Sequence, residues 1–312
     1  MNMLKKLSSF ALVLGVALSQ ANASLLAFNP NGNYTKDALF KGTLANEAQC
    51  NSLKNAVWVS NAFGSECVVY FPANLKQTNK DVVVYMNGDL GTSNADFDSS
   101  FLTDSNEKKA KEVQYISNRI GHPFIQIGRL GMGASSGNHG EIRRTKAEVE
   151  IINDALTKIK AKYNIQNFTL TGHSGGGHTV AGVINKRSDV KCAVYGASPL
   201  MPALMELASP NKEINPKYYE PISDALGAKA NKQLRSFVIS DTRDYGGWRW
   251  KPMVTYVKEA RKLGLKVEVL ALKVNDGLRH NTVSHVQYVG GWCASNVPTV
   301  QLIKHTYQTF SY

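Results

Sequence analysis

Residues 172–176 read Gly172-His173-Ser174-Gly175-Gly176, with an apolar, β-rich string at 168–171 before them and a helical pattern over 179–186 after them. A serine on so tight a strand-to-helix turn is pushed out beyond the end of the strand, where its hydroxyl can attack a carbonyl carbon. Side chains two positions either side of the serine would collide in such a turn, and glycine at 172 and 176 removes them. The helix that follows aims its free N–H groups at the reacting centre. The chemistry implied is acyl transfer, with Ser174 as nucleophile. A phosphate-cradling loop is the competing reading of a glycine-rich turn, but the Lys-Ser/Thr that ends such a motif is missing here.

A serine hydroxyl needs a base to take its proton, and the base needs a carboxylate to hold its tautomer. After a nucleophile turn of this type the partners come in the chain order acid, then histidine. The string 235–240 ends in Asp241-Thr242-Arg243-Asp244. Asp244 is favoured as the acid, because the loop must carry it away from the strand end; Asp241 has the usual turn-shaping use of aspartate in loops. The string 266–272 leads to Arg279-His280-Asn281, and His280 is favoured as the base over His285, which falls in the helical stretch leading to Trp292. His173 and His178 are too near the serine in sequence and are expected to shape the pocket or pack. His122, His139 and His305 carry no assigned role. No spacing typical of a zinc site occurs.

The tetrahedral intermediate needs two backbone donors for its oxygen. One is the N–H of Gly175, directly after the nucleophile. The other is expected from the loop after the third strand, Asn87-Gly88-Asp89, where Gly88 allows a sharp turn and Asp89 N–H is the candidate.

These loops need a frame to bring them together. Short β-rich runs recur at 57–59, 66–71, 82–86, 123–127, 168–171, 191–195, 235–240 and 266–272, the later ones nearly continuous apolar strings. Such strings suit strands buried on both faces of a parallel sheet. Apolar residues at Ile142, Val149, Ile152, Leu156, Ile159 and Tyr163 fall on one face of a helix over 141–163, and Met253, Val257, Ala260 and Leu263 repeat the pattern ahead of Gly264. Strand–helix alternation predicts a three-layer α/β fold with about eight mostly parallel strands. The first two have no helix between them and are expected to pair antiparallel at one edge. No internal repeat or long linker divides the chain.

The chain has 312 residues and a formal charge of +12. It opens with Lys5 and Lys6, a short apolar run, and Ala21-Asn22-Ala23, the pattern of a secretory signal peptide of residues 1–23. The run is shorter than the roughly 20 apolar residues of a membrane span. The remaining 24–312 read as one domain carrying a charge near +10, since only Lys5 and Lys6 are lost. The charge is spread out, without a block of like charges or a nucleic-acid-binding signature. Four cysteines in an exported chain suggest two disulfides, Cys50–Cys67 with Cys192–Cys293 being the preferred pairing of three. A periplasmic or secreted location is expected, with no stable membrane insertion.

Taken together, Asn87-Gly88-Asp89, Gly172–Gly176, Asp241–Asp244 and Arg279-His280-Asn281 resemble the motifs of the α/β-hydrolase superfamily, on the branch of esterases, dienelactone-hydrolase-like proteins and prolyl-oligopeptidase-like peptidases. The resemblance covers about 57–295. The segment from Gly128 to His139, with Arg143, Arg144 and Glu148, is similar to the R-P-G-x-x-G-S-S-G loop of bacterial relatives, with Leu130 in place of proline. Asn87 replaces the commoner histidine of the oxyanion loop. The resemblance implies hydrolysis of a carboxylic ester, on a small-molecule or cell-envelope substrate, without cofactor or metal. A peptidase on the same scaffold and an inactive binding protein are the alternatives. It also implies a pocket mouth lined by the Gly128–His139 loop, whose arginines orient substrate or pair with acids, and a short cap over 200–234, with Tyr218 and Tyr219 over the site or packed.

Overall fold

The computed structural model describes residues 25–32, 34–91, 99–210, 215–225 and 233–310. The expected signal peptide, and residues 211–214 and 226–232 of the expected cap, lie outside them. Eight strands form one sheet: β1 (Ala56–Asn61), β2 (Gly64–Ala73), β3 (Asn79–Met86), β4 (Phe124–Ile127), β5 (Ile165–His173), β6 (Val190–Gly196), β7 (Arg235–Ser240) and β8 (Lys266–Ala271). Their spatial order is β1-β2-β4-β3-β5-β6-β7-β8. β2 runs antiparallel to both β1 and β4, with Val69 opposite Ala56 and Tyr70 opposite Ile127. From β4 to β8 every pair is parallel, with Val84 beside Leu170 and Leu170 beside Ala193.

Six longer helices cover the sheet: α1 (Asn106–Ile120), α2 (Lys146–Lys162), α3 (Gly175–Val183), α4 (Trp250–Lys262), α5 (Val283–Ala294) and α6 (Thr299–Phe310). Side chains alternate across a strand, and β3 sends Val82, Val84 and Met86 into one core while Val83 and Tyr85 enter the other. The first core holds Val149 and Ile152 of α2, Val180 of α3 and Met253 of α4. The second holds Val113 of α1, Val286 and Val289 of α5, and Leu302 of α6. Both faces of the central strands are therefore dry, which is why they read as unbroken apolar strings. The architecture is a three-layer α/β fold.

Two helix starts differ from the sequence reading. The helix expected from 141 begins at Lys146, where the Thr145 hydroxyl accepts from Glu148 N. Ahead of it Arg144 adopts φ 58°, which breaks the turn and separates a short helix, His139–Ile142. The helix expected from 179 begins four residues earlier, at Gly175, directly after the serine. α4 ends as anticipated, Gly264 taking φ 82° while Leu265 N returns to Ala260 O at 3.0 Å. Both expected disulfides are present: Cys50–Cys67 ties the segment before β1 to β2, and Cys192–Cys293 ties β6 to α5. Two short parallel strands, Leu26–Ala27 and Thr43–Leu44, lie apart from the main sheet and bridge at Thr43 to Gly137. No helix among the described residues is long and apolar enough to cross a membrane.

Candidate active site

The turn between β5 and α3 holds Ser174 at φ 49°, ψ −124°, a conformation costly for any residue with a side chain. It is held there by Ser174 N donating to Gly196 O at 2.7 Å, and by packing that only glycine permits. A Cβ on Gly172 would lie 2.5 Å from the Gly176 carbonyl, and one on Gly176 would lie 2.2 Å from Met86 O. The loop after β3 also comes close: a Cβ on Gly88 would sit 3.2 Å from Ser174 Cβ.

The two loops beyond β7 and β8 converge on the serine. His280 Nδ1 lies 2.9 Å from Asp244 Oδ1, and the Asp244 side chain is fully buried. Tyr245 N donates to Leu278 O at 3.0 Å, tying the loop after β7 to the loop after β8. Asp276 shapes the loop after β8 by accepting from the amides of Leu278, His280 and Asn281. Burial would raise its pKa, but those donors hold it below the usual carboxylate value. The His280 ring packs edge-on against Tyr245 at 5.0 Å and lies 4.9 Å from the His173 ring. His173, bonded to Thr282 Oγ1 at 3.1 Å, is pushed down to a pKa of about 3 by burial, reinforced by His280 and Arg249, and stays neutral. Ser174 and His280 line one cleft of about 630 Å³. Among the described residues no hydrogen bond joins the Ser174 and His280 side chains.

The competing candidates sit elsewhere. Asp241 is used within its own loop: its carboxylate takes Arg243 N, Nε and Nη2 and the amide of Val274. Against the effect of burial, these donors bring its pKa down to about 2. His285 lies on α5 against the Phe310 ring at 4.2 Å, with neither ring nitrogen hydrogen-bonded. His178 packs, its Nε2 2.7 Å from Tyr219 O. Tyr218 and Tyr219 do not line the cleft. Tyr219 N bonds to Arg144 O, and the Arg144 guanidinium lies over the Tyr218 ring.

Beneath the Asn87-Gly88-Asp89 loop is an ion cluster whose connectivity sequence reading did not give. Arg129, 1% exposed, makes a fork to both oxygens of Glu148 at 2.8 and 2.9 Å. Its Nη1 reaches Asp89 Oδ1 at 2.7 Å and Asn87 O at 3.1 Å. Arg144 takes the other Asp89 oxygen at 2.7 Å. Burial opposes the charge on Asp89, yet Arg144 and Arg129 hold its pKa well below normal. His139, whose pKa burial lowers, accepts Leu90 N on Nε2 and faces Leu130 O with Nδ1. Arg129 and Arg144 thus pair with acids, one of the two roles expected for the arginines of this segment. The Asp89 carboxylate lies over the start of α3, where a Cβ on Gly175 would overlap it at 1.8 Å. No hydrogen bond among the described residues engages the N–H of Gly175 or of Asp89. Tyr245, Arg249 and Asp276 also escaped the sequence reading, since loop residues carry no periodic signal. Among the described residues no cluster of three or more His, Cys, Asp or Glu side chains is placed to hold a metal ion.

A serine on a strained turn, a histidine–aspartate pair and the Asn87-Gly88-Asp89 loop are set at the ends of β5, β7, β8 and β3 in a three-layer sheet. This is the α/β-hydrolase fold, and solved structures share it. A Pyrococcus furiosus esterase superposes with a TM-score of 0.52 at 13% identity, over 93% of this chain and 99% of that one. The Butyrivibrio proteoclasticus protein Est1E, solved with ferulic acid, gives 0.51 at 13% identity over 80% and 100%. A Pyrococcus horikoshii acylaminoacyl peptidase gives 0.53 at 12% identity, over 81% of this chain but only 41% of the peptidase. No protein-family profile and no curated protein sequence matches the chain.

Proposed function

We propose that this protein is an exported serine hydrolase that cleaves carboxylic esters through an acyl-enzyme on Ser174. The observation that carries the reading is the 2.9 Å contact between His280 Nδ1 and buried Asp244, in the cleft that also holds the strained Ser174. His280 Nε2 takes the Ser174 proton as Oγ bonds to the ester carbon. Asp244 keeps the imidazole proton on Nδ1 and stabilises the imidazolium that forms. The N–H groups of Gly175 and Asp89 receive the developing oxyanion. His280 then protonates the departing alcohol. A water deprotonated by His280 attacks the acyl carbon, and Ser174 regains its proton as the acid leaves.

Export is supported by the two disulfides, since such bonds persist in oxidising compartments, and by the N-terminal pattern of residues 1–23. A mass measurement on protein recovered outside the cytoplasm would find Ser24 or a near neighbour at the N-terminus.

The test is hydrolysis of short-to-long p-nitrophenyl esters by the mature protein beside Ser174→Ala. Turnover that is lost in the variant supports the esterase. No ester turnover, with Ser174 still labelled by a fluorophosphonate, favours a peptidase, the reading to which the likeness to acylaminoacyl peptidases lends support. No labelling at all favours an inactive scaffold.

A further inference from the structure

The charged side chains around the cleft are nearly all matched. Asp104 pairs with Lys108 and Lys109, Asp89 with Arg144 and Arg129, and Asp276 with backbone amides. Arg249 is the exception. It lines the same cleft, yet no carboxylate among the described residues forms an ion pair with it. Its Nε is buried without a hydrogen-bond partner. Burial lowers its pKa, with Asp244 acting only at longer range. What holds the guanidinium is aromatic: its carbon lies 3.8 Å from the centre of the Tyr245 ring and 5.0 Å from Trp248. Stacking fixes the guanidinium plane and leaves its edge donors for something else.

An unmatched, half-desolvated cation is unfavourable unless a ligand completes it. A planar fork matches a carboxylate, which accepts two parallel N–H bonds. Arg249 is also close to the chemistry, because the Tyr245 ring on which it stacks packs edge-on against His280 at 5.0 Å. We propose that Arg249 is the specificity residue of the site and anchors a carboxylate carried by the substrate, so that the preferred esters are anionic. This rests on the ester-hydrolase reading above.

The test has an activity arm and a binding arm. Two matched pairs of esters place the charge on either side of the scissile bond: mono-p-nitrophenyl glutarate against p-nitrophenyl butyrate, and 4-acetoxybenzoate against its methyl ester. The wild-type protein should prefer the anionic member of at least one pair. In Arg249→Gln that preference in kcat/KM should fall at least about tenfold, chiefly through KM, and Arg249→Lys should fall between the two. Lys258→Gln, which removes an exposed cation on α4, should leave the preference unchanged; an equal fall there would mean general charge steering and overturn the inference. In the binding arm, glutarate is titrated calorimetrically into Ser174→Ala and into Ser174→Ala/Arg249→Gln, with thermal midpoints confirming that both are folded. Binding only to the first supports the carboxylate site even if none of the four esters is turned over, in which case the esterase reading alone fails. Ester turnover with unchanged preferences in Arg249→Gln, and no Arg249-dependent glutarate binding, would overturn the inference and leave the esterase reading standing.

Discussion

Replacing Asp244 by asparagine separates the two aspartates of the β7 loop. Asp244 is fully buried, accepts from His280 Nδ1 at 2.9 Å and is within 3.5 Å of Ser240 Oγ. Asparagine has the same size, so the loop should keep its shape. Its amide N–H₂, turned to the ring, would call for a bare Nδ1 and move the imidazole proton to Nε2. That tautomer cannot take a proton from Ser174. With the negative charge also gone, kcat should fall by about 10⁴, or roughly 5 kcal/mol in the barrier. Asp241→Asn acts on a different set of bonds. One of its two oxygens, serving Arg243 or Val274 N, becomes a donor facing a donor. That should cost about 1–2 kcal/mol of stability and leave kcat within a few-fold. Steady-state hydrolysis of p-nitrophenyl butyrate, with thermal midpoints for both variants, reads the two effects separately. An Asp244→Asn enzyme retaining a tenth of wild-type kcat, or an Asp241→Asn enzyme losing a thousandfold, would refute the assignment.

Other outcomes follow from the same geometry. His280→Ala should abolish fluorophosphonate labelling of Ser174 while His285→Ala only lowers the thermal midpoint; labelling that survives the first and fails in the second would exchange their roles. Gly176→Ala should yield little folded or active protein, because the new methyl meets backbone at Met86 O rather than a side chain that can move; normal expression and turnover would contradict the tight turn. His173 and His178, with pKa values pushed down to about 3 and about 4 by burial, stay neutral in the fold when the unfolded chain has already taken up protons below about pH 6.5. The unfolded state then binds more protons, so stability should fall as pH drops from about 6.5 toward 4, by about 1 kcal/mol per pH unit for each histidine; a flat chemical-denaturation profile across that window would refute it. Replacing Cys192 and Cys293 by serine should cost more stability than replacing Cys50 and Cys67, because the first pair closes a loop of 101 residues and the second one of 17: about 4–5 against about 3 kcal/mol in the chain-entropy picture. Equal losses in denaturant melts would argue against an entropic origin.

The sheet was legible because its central strands are dry on both faces, so that 82–86, 168–171 and 235–240 stand out as apolar strings. The glycines around Ser174 were legible because a tight turn leaves no alternative residue. The start of α2 was not: Ile142 continues the helical pattern, and only the positive φ of Arg144, recruited toward Asp89, interrupts it. The last helix left a weaker trace: Leu302, Thr306 and Phe310 are buried at helical spacing, but mostly polar residues separate them. Pairings such as Arg129 with Asp89, 40 residues apart in the chain, leave no local trace, and neither does Arg249, whose partners are the ring faces of two neighbouring loop residues.

The buried charges around Asp89 pose the sharper physical question. In the proposed mechanism a negative oxygen develops beside Gly175 N–H, and the Asp89 carboxylate lies against that same residue. Two like charges 4 Å apart repel by about 4 kcal/mol at an effective dielectric constant of 20, enough to erase the gain from one oxyanion donor. The carboxylate is tolerable only because each oxygen is already engaged by an arginine, Arg129 on one and Arg144 on the other, with Arg143 a further 3.8 Å contact. Counting Glu148, three guanidinium groups face two carboxylates, so the cluster as a whole favours an oxyanion. The carboxylate's contribution is mechanical. It lets one loop after β3 be gripped by arginines from the segment after β4 and from the turn before α2, while Glu148 on α2 fixes the first of them by a two-pronged bond. A neutral residue at 89 would keep the local charge positive but lose the grip on the loop whose N–H must be aimed, and aim rather than charge is what a backbone donor contributes to a transition state.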